Sequence, residues 1–367
     1  MRSLSRSLGE IAGVFLKLGL VAVGGPAVHV ALMRREVVLK RRWLDEKTFL
    51  DDFAACQLIP GPSSTELAIM LGYRRGGPAG LVVAGVLFIL PAMLIMLALA
   101  WVYSRFAASS VIGGALHGVR PVVVGLIAWA LIDLGRRIVL GPFLALVGLV
   151  VMVAALFGAN PIILLALGGF AIVLRRSLRL KPFAPGLAAA SVAMNTSLLG
   201  IFLVFLKYGA VSFGSGYVLF AFLQTDVVQT YHWLTTQQLV DGIAISQATP
   251  GPVFTVATFI GYLVAGVSGA VVATVGIFLP GFVLVPFLER IVRLVNAHLW
   301  AKAFLEGVNV GALGLIAAVA VQLGRTALVD PITGAIALVS FGVLLRVPLA
   351  APALMIAGGV VGVLLLR

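Results

Sequence analysis

The sequence predicts an all-α polytopic membrane protein of two homologous halves, arranged as an inverted-topology repeat with broken or re-entrant helices and 10 to 12 hydrophobic segments. Three observations predict it: an apolar content too high for an aqueous core, a long internal repetition, and opposite charge in equivalent loops of the two halves.

Of 367 residues, 61% are hydrophobic and 11% charged, with a mean hydropathy of +1.15. Such a chain has more apolar surface than one water-soluble core can hide. The uncharged runs Leu81–Tyr103, Val111–Ile132, Val139–Leu156 and Val267–Leu288 have the length a helix needs to cross hydrocarbon. The period-2 alternation of a membrane barrel is absent. The apolar N-terminus passes through "VGGPAVHVALM" without a small-residue cleavage site, so it is read as structure and not as a signal peptide. A net charge of +13 would suggest nucleic acid in a soluble protein. Here the basic residues flank apolar spans, where they fix topology, and nucleic acid is excluded as a partner. One cysteine, Cys56, excludes an internal disulfide, and four histidines without helical pairing give no metal site. No cofactor motif is present.

Sliding the chain along itself by about 190 residues superposes Trp43 on Trp233, Asp51 on Asp241, Gln57 on Gln247 and Pro60-Gly61-Pro62 on Pro250-Gly251-Pro252. The predicted units are residues 1–180 and 190–367, joined by a linker at 181–189 within the charged, proline-containing stretch "RRSLRLKPFAPG". Nineteen Lys and Arg precede residue 186 and seven follow it. The loop "RREVVLKRRW" is strongly basic, whereas its repeat partner "QTDVVQTYHW" has no Lys or Arg. If basic loops stay cytoplasmic, equivalent loops lie on opposite faces, which defines an inverted repeat with a central site. Arg74, Arg75, Arg105 and Arg325 fit no simple alternation of spans, and Gly141–Leu174 reads as either one long helix or two short ones.

Pro60-Gly61-Pro62 must interrupt its helix, since proline removes a backbone donor and clashes with the preceding turn. In lipid the freed backbone groups are costly unless they face protein or a wet cavity. Pro62 reads as the start of a half-helix through Ser63, Ser64 and Thr65, whose free amides, dipole and hydroxyls suit an oxyanion. The second half repeats the chemistry with Gln247, Thr249, Pro250, Gly251, Pro252 and Thr255, and Gln57 is the counterpart of Gln247. Earlier breaks at Gly24 and Gly25, followed by His29, and at Gly214 and Gly216 would add two more helix starts around one tetrahedral dianion. Glu66 falls one turn into the half-helix, with Val256 as its repeat partner, and an ionisable group there is a candidate proton carrier. Asp51 and Asp241 are either further proton carriers or helix caps. Arg120, matched by Asn309, is either an anion ligand or the partner of an acid. His29 is either an anion donor or a packing residue.

At these residues the chain resembles the chromate ion transporter family in its two-domain form. The resemblance rests on "VGGPAVHVALMRREVV", "WLDEKTFLDDFAACQLIPGPSSTELAIMLGYRRGGPAG" and "FILP", repeated as "FGSGYVLFAFLQTDVV", "WLTTQQLVDGIAISQATPGPVFTVATFIGYLVAG" and "IFLPGF". It implies a multi-pass carrier of the plasma membrane that moves chromate outward, with protons as the coupling ion and sulfate as the structural analogue. Two positions depart from the family pattern: Glu66 stands where glutamine is more usual, and Val23 replaces a phenylalanine that Phe213 retains. An oxyanion importer or uniporter is the alternative function. An intramembrane enzyme is disfavoured because no nucleophile with a base, metal set or acid pair is evident. A homodimer is a candidate assembly that no residue pattern demonstrates.

Overall fold

The computed structural model describes residues 2–177, 197–213, 216–347 and 350–365, so the linker at 181–189 and Gly214 lie outside the described residues. The first half comprises α1 (Arg2–Val21), α2 (Pro26–Arg34) extended by a π-helical turn at Arg35–Lys40, α3 (Glu46–Cys56), α4 (Ser63–Phe106), α5 (Ser110–Ile138), α6 (Pro142–Leu156) and α7 (Pro161–Ser177). The second half repeats the order as α8 (Leu198–Val211), α9 (Val218–Phe222) with a π-helical turn at Leu223–Thr230, α10 (Thr236–Ala248), α11 (Val256–Leu284), α12 (Leu288–Ala297), α13 (Leu299–Ala327), α14 (Pro331–Arg346) and α15 (Ala351–Leu365). The stretch 141–174 is therefore two short helices. Four helical stretches are long and apolar enough to span a bilayer by themselves: Ser63–Phe106, Ser110–Ile138, Val253–Ala297 and Leu299–Ala327.

Neither α4 nor α11 is straight. The backbone of α4 leaves helical geometry at Gly76 and Gly77, and that of α11 at Ala265 and Gly266. A Cβ on Gly72 would stand 2.4 Å from the Gly80 carbonyl oxygen, and one on Gly261 would stand 2.3 Å from that of Gly269. The chain thus reverses on itself, giving each helix a short arm packed against a long one. This reversal accounts for Arg74 and Arg75, which sit at the turn and leave the membrane there: Arg75 pairs with Glu10 and lies over the Trp43 ring.

The reversal also fixes the inversion. Arg74 donates to both oxygens of the buried Asp52 on α3, so α3 and the short arm of α4 run antiparallel, with Pro60-Gly61-Pro62 at their inner tip. From Gly80 the long arm of α4 rises about 35 Å to Tyr103, enough to cross the hydrocarbon of a bilayer, about 30 Å thick. There the Tyr103 hydroxyl donates to Asp241 on α10, whose own tip is the second Pro-Gly-Pro. In return, Glu289 of α12, at the end of the long arm of α11, comes back to 3.9 Å from Arg74. The two hairpins therefore enter from opposite faces. The face of the first carries Arg34, Arg35, Lys40, Arg41 and Arg42, the kind of cluster that the positive-inside rule places on the cytoplasmic side.

Matched ion pairs hold the outer parts of each half. Lys17 on α1 reaches Glu36 in the first π-helical turn, as Lys207 on α8 reaches Asp226 in the second. The last two helices of each half, however, pack mainly on the other half. Helices α6 and α7 embrace α13, and α14 and α15 embrace α5. These contacts are backbone-close: a Cβ on Gly118 would stand 2.0 Å from the Gly358 carbonyl oxygen, and one on Gly307 would stand 2.2 Å from that of Gly168. Small residues permit such approach where lipid offers no competing hydrophobic force. Gly118→Leu should accordingly part α5 from α15 and cost about 1–3 kcal/mol or more by overpacking. A thermal melt of the purified protein checks this, and an unchanged midpoint would refute it.

Candidate functional site

The four breaks meet. The Gly61 amide, at the tip of the α3–α4 hairpin, donates to the carbonyl of Ser212 after α8 at 2.8 Å; the Gly251 amide donates to the carbonyl of Ala22 after α1 at 2.9 Å. The two bonds are related by the same shift of 190 residues that aligns the halves. Each ties a Pro-Gly-Pro break of one half to the early glycine-rich break of the other. The junction lies between the two faces, where the two hairpin tips come together.

His29 on α2 fastens the same place. Its Nε2 lies 3.1 Å from the Ala22 carbonyl and its Nδ1 lies 3.1 Å from Ser64 Oγ. A carbonyl only accepts, so Nε2 carries the proton and Nδ1 accepts from the Ser64 hydroxyl. Both ring nitrogens are spent on structure and the Ser64 proton is spent on His29. Of the two sequence alternatives for His29, the packing role describes this geometry. The Thr249 hydroxyl bonds the Ser246 carbonyl, and the Thr255 hydroxyl bonds that of Pro252.

What remains unspent is specific. Thr65 Oγ1, both carboxyl oxygens of Glu66, Ser212 Oγ and Gln247 Nε2 are buried without a partner among the described residues. Thr65 and Glu66 are each 1% exposed. The amides of Ser63 and Ser64, the first of α4, and of Val253 and Phe254, just beyond Pro252, also bond to nothing among the described residues. Pro62 is the N-terminal cap of α4, one residue ahead of the first helical position at which the sequence places it, while the second half interposes a short 3-10 turn, Val253–Thr255, before α11. A buried polar atom left unpaired costs about 1–3 kcal/mol, and here several share one junction. Gly24, Gly25, Gly61, Pro62, Ser63, Gly216 and Pro250 are part-exposed around it, while Pro60, Gly251 and Pro252 are buried. Broken backbone of this kind is tolerated at membrane depth only beside protein or water.

The remaining candidates lie elsewhere. Gln57 and Asp51 are exposed, whereas their partners Gln247 and Asp241 are buried. The helix caps are Asp45 for α3 and Thr235 for α10, not Asp51 and Asp241. Arg120 is not free to face an anion: its guanidinium is paired with Asp241. Asn309 sits half-buried on α13. Sequence reasoning missed Ser212, whose hydroxyl is buried and without a partner among the described residues. The signal for Ser212 is its place in the repeat, opposite Ala22 and just before the "FGSG" break.

Comparison with known proteins gives these features a context. A family model described as "Chromate transporter" matches twice, over residues 9–173 and 199–363. The chromate transport protein of Pseudomonas aeruginosa is 36% identical over 344 residues, covering 87% of this chain and 82% of that protein. That of Cupriavidus metallidurans is 34% identical over 372 residues, covering 96% and 91% respectively. A probable chromate transport protein of Synechococcus elongatus is 35% identical over 353 residues, covering 91% and 90%. No solved structure matches the chain.

Proposed function

Because the chain belongs to the chromate transporter family, we propose that it is a secondary active carrier exporting chromate across the plasma membrane, coupled to protons, with the dianion held where the four breaks meet. The observation that carries this reading is the set of unspent buried donors at the junction: Thr65 Oγ1, Ser212 Oγ, Gln247 Nε2 and the first amides of α4. Hydroxyls, a carboxamide and helix-start amides replace the hydration of an oxyanion without placing a full positive charge beside it. The carrier therefore releases its cargo more readily than a site built on lysine or arginine would. Glu66, buried next to these donors with no cation paired to it among the described residues, is the proposed proton carrier. Its ionised form repels a neighbouring dianion, and protonation removes that repulsion. The basic mouth gathers anions on the cytoplasmic side, which supports outward transport.

Purified protein in liposomes tests this. Inside-out vesicles should accumulate chromate faster when a pH gradient is imposed. Thr65→Val should weaken chromate binding roughly tenfold or more, since a hydrogen bond to a charged group contributes about 1.5–3 kcal/mol. Flux indifferent both to protons and to Thr65→Val would defeat the reading. Sulfate presents the same tetrahedral dianion to these donors, so a sulfate importer is the second reading, and competition with direction-resolved flux separates the two.

A further inference from the structure

Arg120 stands apart from the junction. Asp241, its partner, lies about 12 Å along α10 from Thr249 at the tip, toward the non-cytoplasmic face. The guanidinium fork is filled. Its Nε and Nη2 donate to the two Asp241 oxygens at 2.7 and 3.0 Å. With the Gln237 amide turned so that its oxygen faces the guanidinium, Nη1 and Nη2 also donate to that oxygen at 2.9 and 2.7 Å. The Tyr103 hydroxyl donates to Asp241 at 2.9 Å. Tyr103 and Arg120 belong to the first half, Gln237 and Asp241 to the second. The side chain of Asp241 is 1% exposed and that of Arg120 is 12% exposed.

The opposite face lacks this latch. Asn309 stands in place of Arg120, and Asp51, in place of Asp241, is exposed. The long arm of α11, continued by α12, reaches the first hairpin through Glu289, 76% exposed and 3.9 Å from Arg74. An open cavity of about 350 Å³ lies there, lined by Asp51, Asp52, Arg74, Glu289 and Arg293 among others. One face thus ties the two halves together through a buried ion pair, Arg120 with Asp241; on the other the halves meet through the exposed Glu289, 3.9 Å from Arg74.

A guanidinium fork accepts two oxygens of a carboxylate or two oxygens of a tetrahedral oxyanion with the same geometry. We propose that Arg120 is a second station for the transported oxyanion, closed in this state by Asp241, which occupies the fork as an internal substitute for the anion. An oxyanion leaving the junction toward that face displaces Asp241 from Arg120, frees α10 from α4 and α5, and so opens its own exit. Arg120 then acts in transit and the junction donors act in loading. This inference rests on the reading of the chain as an oxyanion carrier.

The test is calorimetric binding of chromate and of sulfate to the full-length protein in detergent at neutral pH. Removing the competitor should tighten binding: Asp241→Asn by about tenfold, and Tyr103→Phe, which only loosens Asp241, by about two- to threefold. The gain of Asp241→Asn should vanish when Arg120→Gln is added. If Asp241→Asn cannot be purified folded, Tyr103→Phe decides, because it removes one hydroxyl and leaves the ion pair in place. Wild-type affinity or weaker in the folded variants overturns the station, as does a gain that survives Arg120→Gln. Wild-type protein that binds neither anion overturns both the station and the carrier reading.

Discussion

Glu66→Val is expected to give a protein that melts higher than the wild type and no longer answers a pH gradient. Both Glu66 oxygens are buried without a partner among the described residues, and the side chain lies beside Gly61 and Gly281. Removing an unsatisfied buried polar group should stabilise the fold by about 1–3 kcal/mol. The repeat provides the control for size, since Val256 occupies the matched position in the second half and is fully buried. Glu66→Gln, which keeps the volume and a polar head, should gain less stability and lose the same coupling. Thermal scanning of the detergent-solubilised protein reads the first effect, and chromate flux with and without an imposed pH gradient reads the second. A valine variant that keeps its proton dependence would remove Glu66 from the coupling machinery. Stability gained at the expense of activity is what a strained functional site predicts.

The second large effect belongs to Gly251. Its φ of +92° lies where residues with a Cβ are strained, at a cost of about 1–3 kcal/mol. An added Cβ would also meet the Cβ of Ala92 on α4 at 2.4 Å, a contact no side-chain rotation relieves. Overpacking of that kind adds about 1–3 kcal/mol. The amide of the same residue holds the Ala22 carbonyl, so yielding to the clash pulls the two halves apart at the junction. Gly251→Ala should therefore fold poorly and transport nothing measurable, as judged by yield, thermal melt and liposome flux. Gly61→Ala is the informative comparison. Its φ of +127° is equally demanding, but the nearest obstruction is the Glu66 carboxyl, which can rotate away. It should fold better than Gly251→Ala while disturbing the same site.

Much of this arrangement was legible before any coordinates, and the parts that were not share a physical reason. The breaks at Pro60-Gly61-Pro62 and Pro250-Gly251-Pro252 declare themselves because proline forbids a helix locally. The inversion declares itself because lysine and arginine mark one side of the membrane. Of the two reversals, that at Gly76-Gly77 is half hidden and that at Ala265-Gly266 fully so, because there hydropathy runs unbroken through a turn whose residues carry almost no polar side chain. Only the awkward Arg74 and Arg75 hinted at the first. Backbone bonds such as Gly61 to Ser212 leave no side-chain signature at all. The partner of Arg120 is 121 residues away, and sequence could name an acid as its alternative but not choose Asp241. Asp51, matched to Asp241 in the repeat, misled as to role: its neighbour Asp52 is the buried one, bound to Arg74.

The crossed embrace of α6 and α7 around α13, and of α14 and α15 around α5, bears on how the chain is made. During translation α5 enters the bilayer with its glycine-lined side bare, and it stays so until the last two helices have been synthesised. Early-emerging α6 and α7 likewise wait for α13. Closure of the packing around α5 thus waits for α14 and α15, and a ribosome stalled before them leaves a product whose tightest packing surfaces have never met their partners.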